Sequence, residues 1–202
     1  MITDEAALRA VYGPPMQRAL DKQLARIDAH CRAFIAASPF LTLATSDGER
    51  LDVSPKGDAP GFVQCDGDAA ILIPDWPGNN RLDGLTNLLS HPRAAVLFMI
   101  PGVKDTLRIN GPAAIHDDEA MRRRFETRGR LPLTVLRVEA EEVFLHCAKA
   151  FLRSRLWQPE SWAAERPIPP SAEMLDAHIG AAPDGPKPSN EELEARYAKS
   201  LY

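Results

Sequence analysis

Residues 74–102, PDWPGNNRLDGLTNLLSHPRAAVLFMIPG, run from the end of a strand through a turn and a helix into a second strand. Asp75, Trp76, Pro77 and Gly78 carry turn chemistry: proline presets φ and glycine accepts a positive φ. Asn79 or Asn80 then supplies the side-chain oxygen expected to cap a helix. Leu82, Leu85, Leu88 and Leu89 recur at helical spacing and predict one apolar face. Pro92 ends the helix, because its ring drives His91 away from helical geometry. The apolar run from Ala94 to Ile100 is that of a buried strand. The head of this helix is the first candidate for function. Free backbone N–H groups and the helix dipole favour an anion there, and Asn79, Asn80 and Arg81 add donors and a cation. A basic residue in a first turn opposes the dipole unless an anion lies beside it. The alternative is a solvated arginine next to two capping asparagines.

Outward from this stretch, strands dominate. Upstream, Leu41–Thr45 and Leu51–Ser54 predict a hairpin about Ser46, Asp47, Gly48 and Glu49. A Gly- and Pro-rich loop, 55–61, leads to a second hairpin, 62–64 with 69–73. Downstream, a strand from Thr106 continues past Gly111 and Pro112 to Ile115. Asp117 is placed to cap a short helix over 118–128. Thr134–Glu139 and Val143–Cys147 are the last strands. Roughly seven short strands with one inserted helix predict a small antiparallel barrel of the mainly β, α+β class.

Helices flank this core. Residues 4–12 predict a short helix ended at Gly13. Met16, Leu20, Leu24, Ile27, Cys31 and Phe34 are spaced for an amphipathic helix of about five turns. Residues 146–157 read as helical, as do 171–182. Residues 183–188 read as a linker. Ser189 and Glu192 have capping-box spacing, and Leu193, Tyr197 and Leu201 predict a docking helix, expected on another subunit. The organisation that follows is an N-terminal helical extension (1–37), a barrel (38–157) and a C-terminal helical extension (158–202).

With 202 residues, 45% of them hydrophobic and 26% charged, the chain is one globular domain with appendages. A net charge of −4 argues against a general nucleic-acid binder, which needs a basic face, and leaves room for one local basic pocket. No apolar run is long enough to span a bilayer, and MITDEAALRA lacks the profile of a secretion signal. Cys31, Cys65 and Cys147 are odd in number and far apart, so a reducing cytoplasm is expected.

Three basic-polar clusters stand out: Ser54, Pro55, Lys56 and Gly57; Asn79, Asn80 and Arg81; and Lys149, Arg153 and Ser154. Each falls at a strand end or helix start, where side chains can converge on a phosphate and a polar heterocycle. The alternative is three unrelated surface clusters. Trp76, Trp157 and Trp162 offer flat surfaces for a ring or for ordinary packing. Other chemistries lack support. The five histidines have no metal-ligand spacing. His146 and Cys147, adjacent on a strand, point to opposite faces. Dinucleotide and phosphate-loop glycine motifs are missing, as is a hydrolase nucleophile elbow.

The order of several short motifs resembles one family. These are Asp-Val-Ser-Pro-Lys-Gly-Asp (52–58), Pro-Gly-Phe-Val (60–63), Pro-Asp-Trp-Pro-Gly-Asn-Asn-Arg (74–81), Thr-Leu-Arg-Ile-Asn-Gly (106–111) and His-Cys-Ala-Lys-Ala (146–150), with Arg153, Ser154, Leu156 and Trp157. Over about residues 30–160 the chain resembles the pyridoxamine 5′-phosphate oxidase-like FMN-binding split-barrel proteins, in the branch of FMN-dependent enzymes with unassigned substrate. The resemblance implies a six-stranded antiparallel split β-barrel with flanking helices, and a homodimer with FMN at the subunit interface. It implies that Ser54, Pro55 and Lys56 line the flavin and that Pro74 and Asp75 run along its ring edge. Asn80 and Arg81, with Asn79 beside them, would hold the phosphate. Lys149, Arg153 and Ser154 would reach flavin or phosphate, and Arg108 lies on a strand near the flavin. The implied function is an FMN-dependent oxidoreductase that passes a hydride at flavin N5 to or from a small molecule. The chain departs from true pyridoxamine phosphate oxidases in lacking their C-terminal Arg-x-His triplet, which argues against vitamin B6 oxidation. The rival reading is a non-catalytic split barrel that binds FMN or haem.

Overall fold

The computed structural model describes residues 1–180 and 187–202. The antiparallel sheet expected from the alternating segments is present, wrapped by helices. Its strands are β1 (Phe40–Ser46), β2 (Leu51–Gly57), β3 (Gln64–Asp66), β4 (Ala70–Asp75), β5 (Arg93–Met99), β6 (Thr106–His116), β7 (Thr134–Glu139) and β8 (Glu142–His146). They pair in the order β2-β1-β5-β6-β7-β4-β3, with β8 also on β6. This is the mainly β split barrel. The described residues contain eight strands where the resemblance implies six; β3 and β8 are short, at three and five residues. The sheet curls. β2 and β4 stand near opposite ends of the pairing order, yet Lys56 of β2 forms an ion pair with Asp75 of β4.

The core follows from side-chain alternation. Leu41 and Leu43 of β1, Val96 and Phe98 of β5, and Leu107 and Ile109 of β6 point inward. β4 is buried on both faces: Ile71 and Ile73 join the barrel core, while Leu72 packs with Val135 and Phe125. Gly111 marks where β6 changes partner, pairing with β8 over Thr106–Asn110 and with β7 over Ala113–His116. A Cβ on Gly111 would lie 2.1 Å from the carbonyl oxygen of Glu139, so glycine is required there.

The helices depart from the sequence expectations in three places. The five-turn helix over Met16–Phe34 is broken into α2 (Gln17–Asp21) and α3 (Ala29–Ala37), the latter after α1 (Glu5–Tyr12) in chain order. Between them Leu24 exchanges backbone hydrogen bonds of 2.9 and 2.8 Å with Val143 of β8. Asp28 then caps α3 by accepting from the Cys31 N–H. The apolar spacing is real, since Ile27, Cys31 and Ile35 are buried, but strand pairing interrupts the helix. Next, α4 covers Asp83–Ser90, and its buried face holds Leu88 and Asn87 rather than four leucines. The Asn87 amide donates to the Thr45 hydroxyl at 3.2 Å, turning Leu89 outward. Finally, α5 is Glu119–Arg123, capped by Asp118 rather than Asp117. Beyond the barrel lie α6 (Lys149–Ser154), α7 (Ser171–Ile179) and α8 (Asn190–Ala198), the last with the expected capping box. Most of the expected 183–188 linker lies outside the described residues.

Candidate functional site

On β2 the usual polarity is inverted. Asp52, Ser54 and Lys56 face the protein, while Leu51 and Val53 are 84% and 64% exposed. The inward polar row forms the floor of a cavity of about 370 Å³. Its opposite wall is the turn after β4 and the head of α4, from Asp75 to Leu85. Six of the twelve sequence-identified residues meet here: Ser54, Lys56, Asp75, Asn79, Asn80 and Arg81. Pro55 and Pro74 line an adjoining cavity of about 300 Å³, which shares Lys56, Asp75 and Trp76 with the first.

The local chemistry differs from a simple capped helix. Neither asparagine caps α4. The residue before the helix is Leu82, in the left-handed region at φ 58°, with no side-chain cap. Asn80 shares that conformation, also at φ 58°. The Asn79 side chain instead accepts from the Arg81 N–H at 3.0 Å, closing a turn on itself. Asparagine tolerates this region, whereas leucine is strained in it, and such strain clusters at functional sites. The first turn of α4 already faces carboxylates. A Cβ on Gly84 would lie 2.8 Å from Asp52 Oδ2, which also accepts from the Ser54 hydroxyl at 2.8 Å. Arg81 pairs with Asp83, and that hydrogen bond raises the guanidinium pKa. The Arg81 side chain is 78% exposed, leaving a face of the guanidinium open on the cavity rim. The arrangement is a polar trough lined by two cations, Lys56 and Arg81, each held by an aspartate. In its wall stands Trp76, whose indole N–H is buried without a hydrogen-bond partner.

The remaining sequence-identified residues lie elsewhere in this chain. Arg108 stacks over the Phe144 ring, 5.5 Å from its centroid. Lys149, Arg153 and Ser154 are on α6, which has no buried residue, and none of them lines the cavity. Trp157 stacks on Phe151, and Trp162 donates to the Leu156 carbonyl. His146, near Arg108, has its pKa lowered, first by burial and then by the charges of Arg108 and Lys22. Sequence reading missed Asp52, although its alternation with Ser54 and Lys56 places it on the same strand face. It also missed Asp83, Asp58 and Tyr202. Tyr202 has no sequence signal, since its contacts come from fold closure alone. Among the described residues, no group of three or more His, Cys, Asp or Glu side chains is gathered as for a metal ion.

Residues 27–147 match the family described as pyridoxamine 5′-phosphate oxidase, a span that is more than half of the chain. The chain belongs to the pyridoxamine 5′-phosphate oxidase family. The matched span contains the whole barrel and the trough, and stops before α6 and the tail. No curated protein matches the chain. Among solved structures, it is similar to HupZ of Group A Streptococcus (18% identity, 59% of this chain and 93% of that one, TM-score 0.48). It is also similar to a protein from Lactobacillus delbrueckii assigned by likeness to the pyridoxamine 5′-phosphate oxidases (15% identity, 61% and 98% covered, TM-score 0.47). An FMN-binding protein from Syntrophomonas wolfei is similar at 17% identity, with 70% and 96% covered and a TM-score of 0.43.

Proposed function

We propose that this member of the pyridoxamine 5′-phosphate oxidase family binds FMN in the trough and acts as a flavin-dependent oxidoreductase on a small molecule. The observation that carries the reading is the convergence of Ser54, Lys56, Asp75, Asn79, Asn80 and Arg81 on one cavity. The donor set fits the group. Arg81 and the amides of Asn79 and Asn80 suit the phosphate. Lys56 and the unpartnered indole N–H of Trp76 suit the carbonyl- and nitrogen-bearing edge of a flavin ring. Asp83 competes with the phosphate for Arg81, so binding exchanges an internal ion pair for an external one. When bound, FMN supplies hydride transfer at N5, while the protein supplies orientation and electrostatics. Lys56, tied to Asp75, is positioned to hold the charge of the ring edge.

A homodimer is part of the proposal. Lys149 and Arg153 make no ion pair among the described residues, and α6 buries nothing. These cations are available to a second copy, where they would complete the site with Ser154 and Arg108. The outward apolar face of β2 supports the same pairing. Unpaired Cys31, Cys65 and Cys147 fit a cytoplasmic location, and no helix among the described residues is long and apolar enough to cross a membrane.

The test is a spectrum followed by a titration. Purified protein should show flavin absorption or take up added FMN. Arg81→Ala should weaken FMN binding by about 1.5–3 kcal/mol, as a charge-assisted hydrogen bond is lost. Protein that stays colourless with excess FMN overturns the reading. Flavin that is bound but never reduced by NADH or NADPH favours a non-catalytic binder.

A further inference from the structure

We propose that the cradle formed by Asp58, Trp76, Arg128 and Arg130, at the edge of the smaller cavity, is a subsite for hydroxyphenyl acids, and that Tyr202 of the chain's own tail occupies it as an internal competitor. Four groups hold Tyr202. Its phenol donates to Asp58 Oδ1 at 2.7 Å. Its ring stands edge-on to Trp76, with centroids 5.0 Å apart and planes at 84°. The Arg128 guanidinium lies 5.4 Å from the ring centroid. Arg130 donates to the Tyr202 main-chain carbonyl. The partners come from the loop after β2, the turn after β4 and the 127–130 turn, so the barrel presents this pattern independently of the tail. Arg128 adopts a left-handed φ of 52°, a conformation few non-glycine residues take, while presenting its cation to the ring.

None of the four contacts requires a peptide. They read a hydroxyl donor, an aromatic edge and face, and an acceptor at the far end of the ring. A free acid of the same span satisfies all four, its carboxylate accepting from Arg130. Displacing the tail disturbs little, because α7 and α8 contain no buried residue. The smaller cavity that Tyr202 borders shares Lys56, Asp75 and Trp76 with the trough, so an occupant of the subsite lies beside the proposed flavin. As a substrate pocket the subsite rests on the flavin reading; as a binding site it does not.

The probe is 3-(4-hydroxyphenyl)propionate, titrated into full-length protein with and without FMN. Trp157→Phe and Trp162→Phe leave Trp76 as the sole tryptophan reporter. Tyr202→Ala should bind the probe saturably and about 10-fold or more tighter than the tyrosine-bearing parent, because competition is removed. Adding Asp58→Ala, or using 3-phenylpropionate, should weaken binding about 10-fold, the loss of one hydrogen bond to a carboxylate. Equal affinity with and without Tyr202, no saturable binding to the Tyr202→Ala protein, or indifference to the hydroxyl each overturns the proposal. Should the single-tryptophan background not fold by circular dichroism, calorimetry on Tyr202→Phe with its tryptophans intact gives the same decision: affinity between parent and Tyr202→Ala supports the proposal, and no change overturns it. Probe binding without FMN binding would refute the flavin reading alone; FMN binding without probe binding would refute the subsite alone.

Discussion

Arg81 has an anion beside it, as its place before a helix demands, but that anion is the protein's own Asp83. If FMN phosphate competes for the same guanidinium, Asp83→Asn should raise FMN affinity about 3- to 10-fold, the range of a partly screened ion pair. Fluorescence titration decides it, and a fall in affinity would assign Asp83 to the binding surface instead. The thiols make a second prediction. Burial is the main reason the Cys31 thiol is pushed up to about 11, with Asp28 adding to it, whereas Cys147 is exposed. A raised pKa keeps the folded thiol protonated while the unfolded one ionises. Cys147 should therefore react promptly with a disulfide reagent at pH 8, and Cys31 only on unfolding. Any stability due to Cys31 is intact below its ordinary value of 9.0 and declines as pH climbs toward 11. At this scale the sequence was informative where chemistry and local spacing coincide. Lys56 and Ser54 are legible because strand alternation puts them on one face. The role of Asn79 was misread, since an asparagine ahead of a helix serves a cap or a turn equally well and only backbone dihedrals separate the two.

β6 shows why element boundaries are harder to read than element types. Its alternation is plain from Thr106 to Ile115, yet nothing local announces that it serves β8 first and β7 afterwards. Gly111 is the physical mark of that exchange, because the β7–β8 connection passes so close that no side chain fits. Gly111→Ala should destabilise the fold by about 2–3 kcal/mol, the cost of forcing atoms into packed backbone. Urea unfolding checks it, and a change under ~0.5 kcal/mol would mean that the connection relaxes freely. The N-terminal segment carries the complementary lesson. Leu24, Ile27, Cys31 and Phe34 fit helical spacing well, but Leu24 spends its backbone on β8. Long-range pairing of that kind leaves no trace in a single segment's periodicity.

At the scale of the molecule, the barrel was legible because many short alternating segments with turn chemistry allow few alternatives. The site was legible only in part. The trough gathers residues from β2 and from the turn after β4, whereas Arg108 and the α6 cations stay apart within one chain. A second copy is the proposed remedy, and the outward row of β2 is the surface to test. Val53→Glu should convert a dimer to a monomer in sedimentation analysis while leaving the circular dichroism spectrum unchanged. If the site spans two chains, it should lose FMN in the same step; a monomer with full flavin affinity would place the whole site in one protomer.

The inverted strand also makes the site depend on parity. Because neighbouring β2 residues face opposite ways, sliding β2 by one position would exchange the charged floor for Leu51 and Val53. The hairpin about Asp47 and Gly48 is therefore the frame-setter of the pocket. There, an insertion that shifted the register by one residue would be ruinous to ligand recognition, whereas a shift by two would restore the parity of the floor.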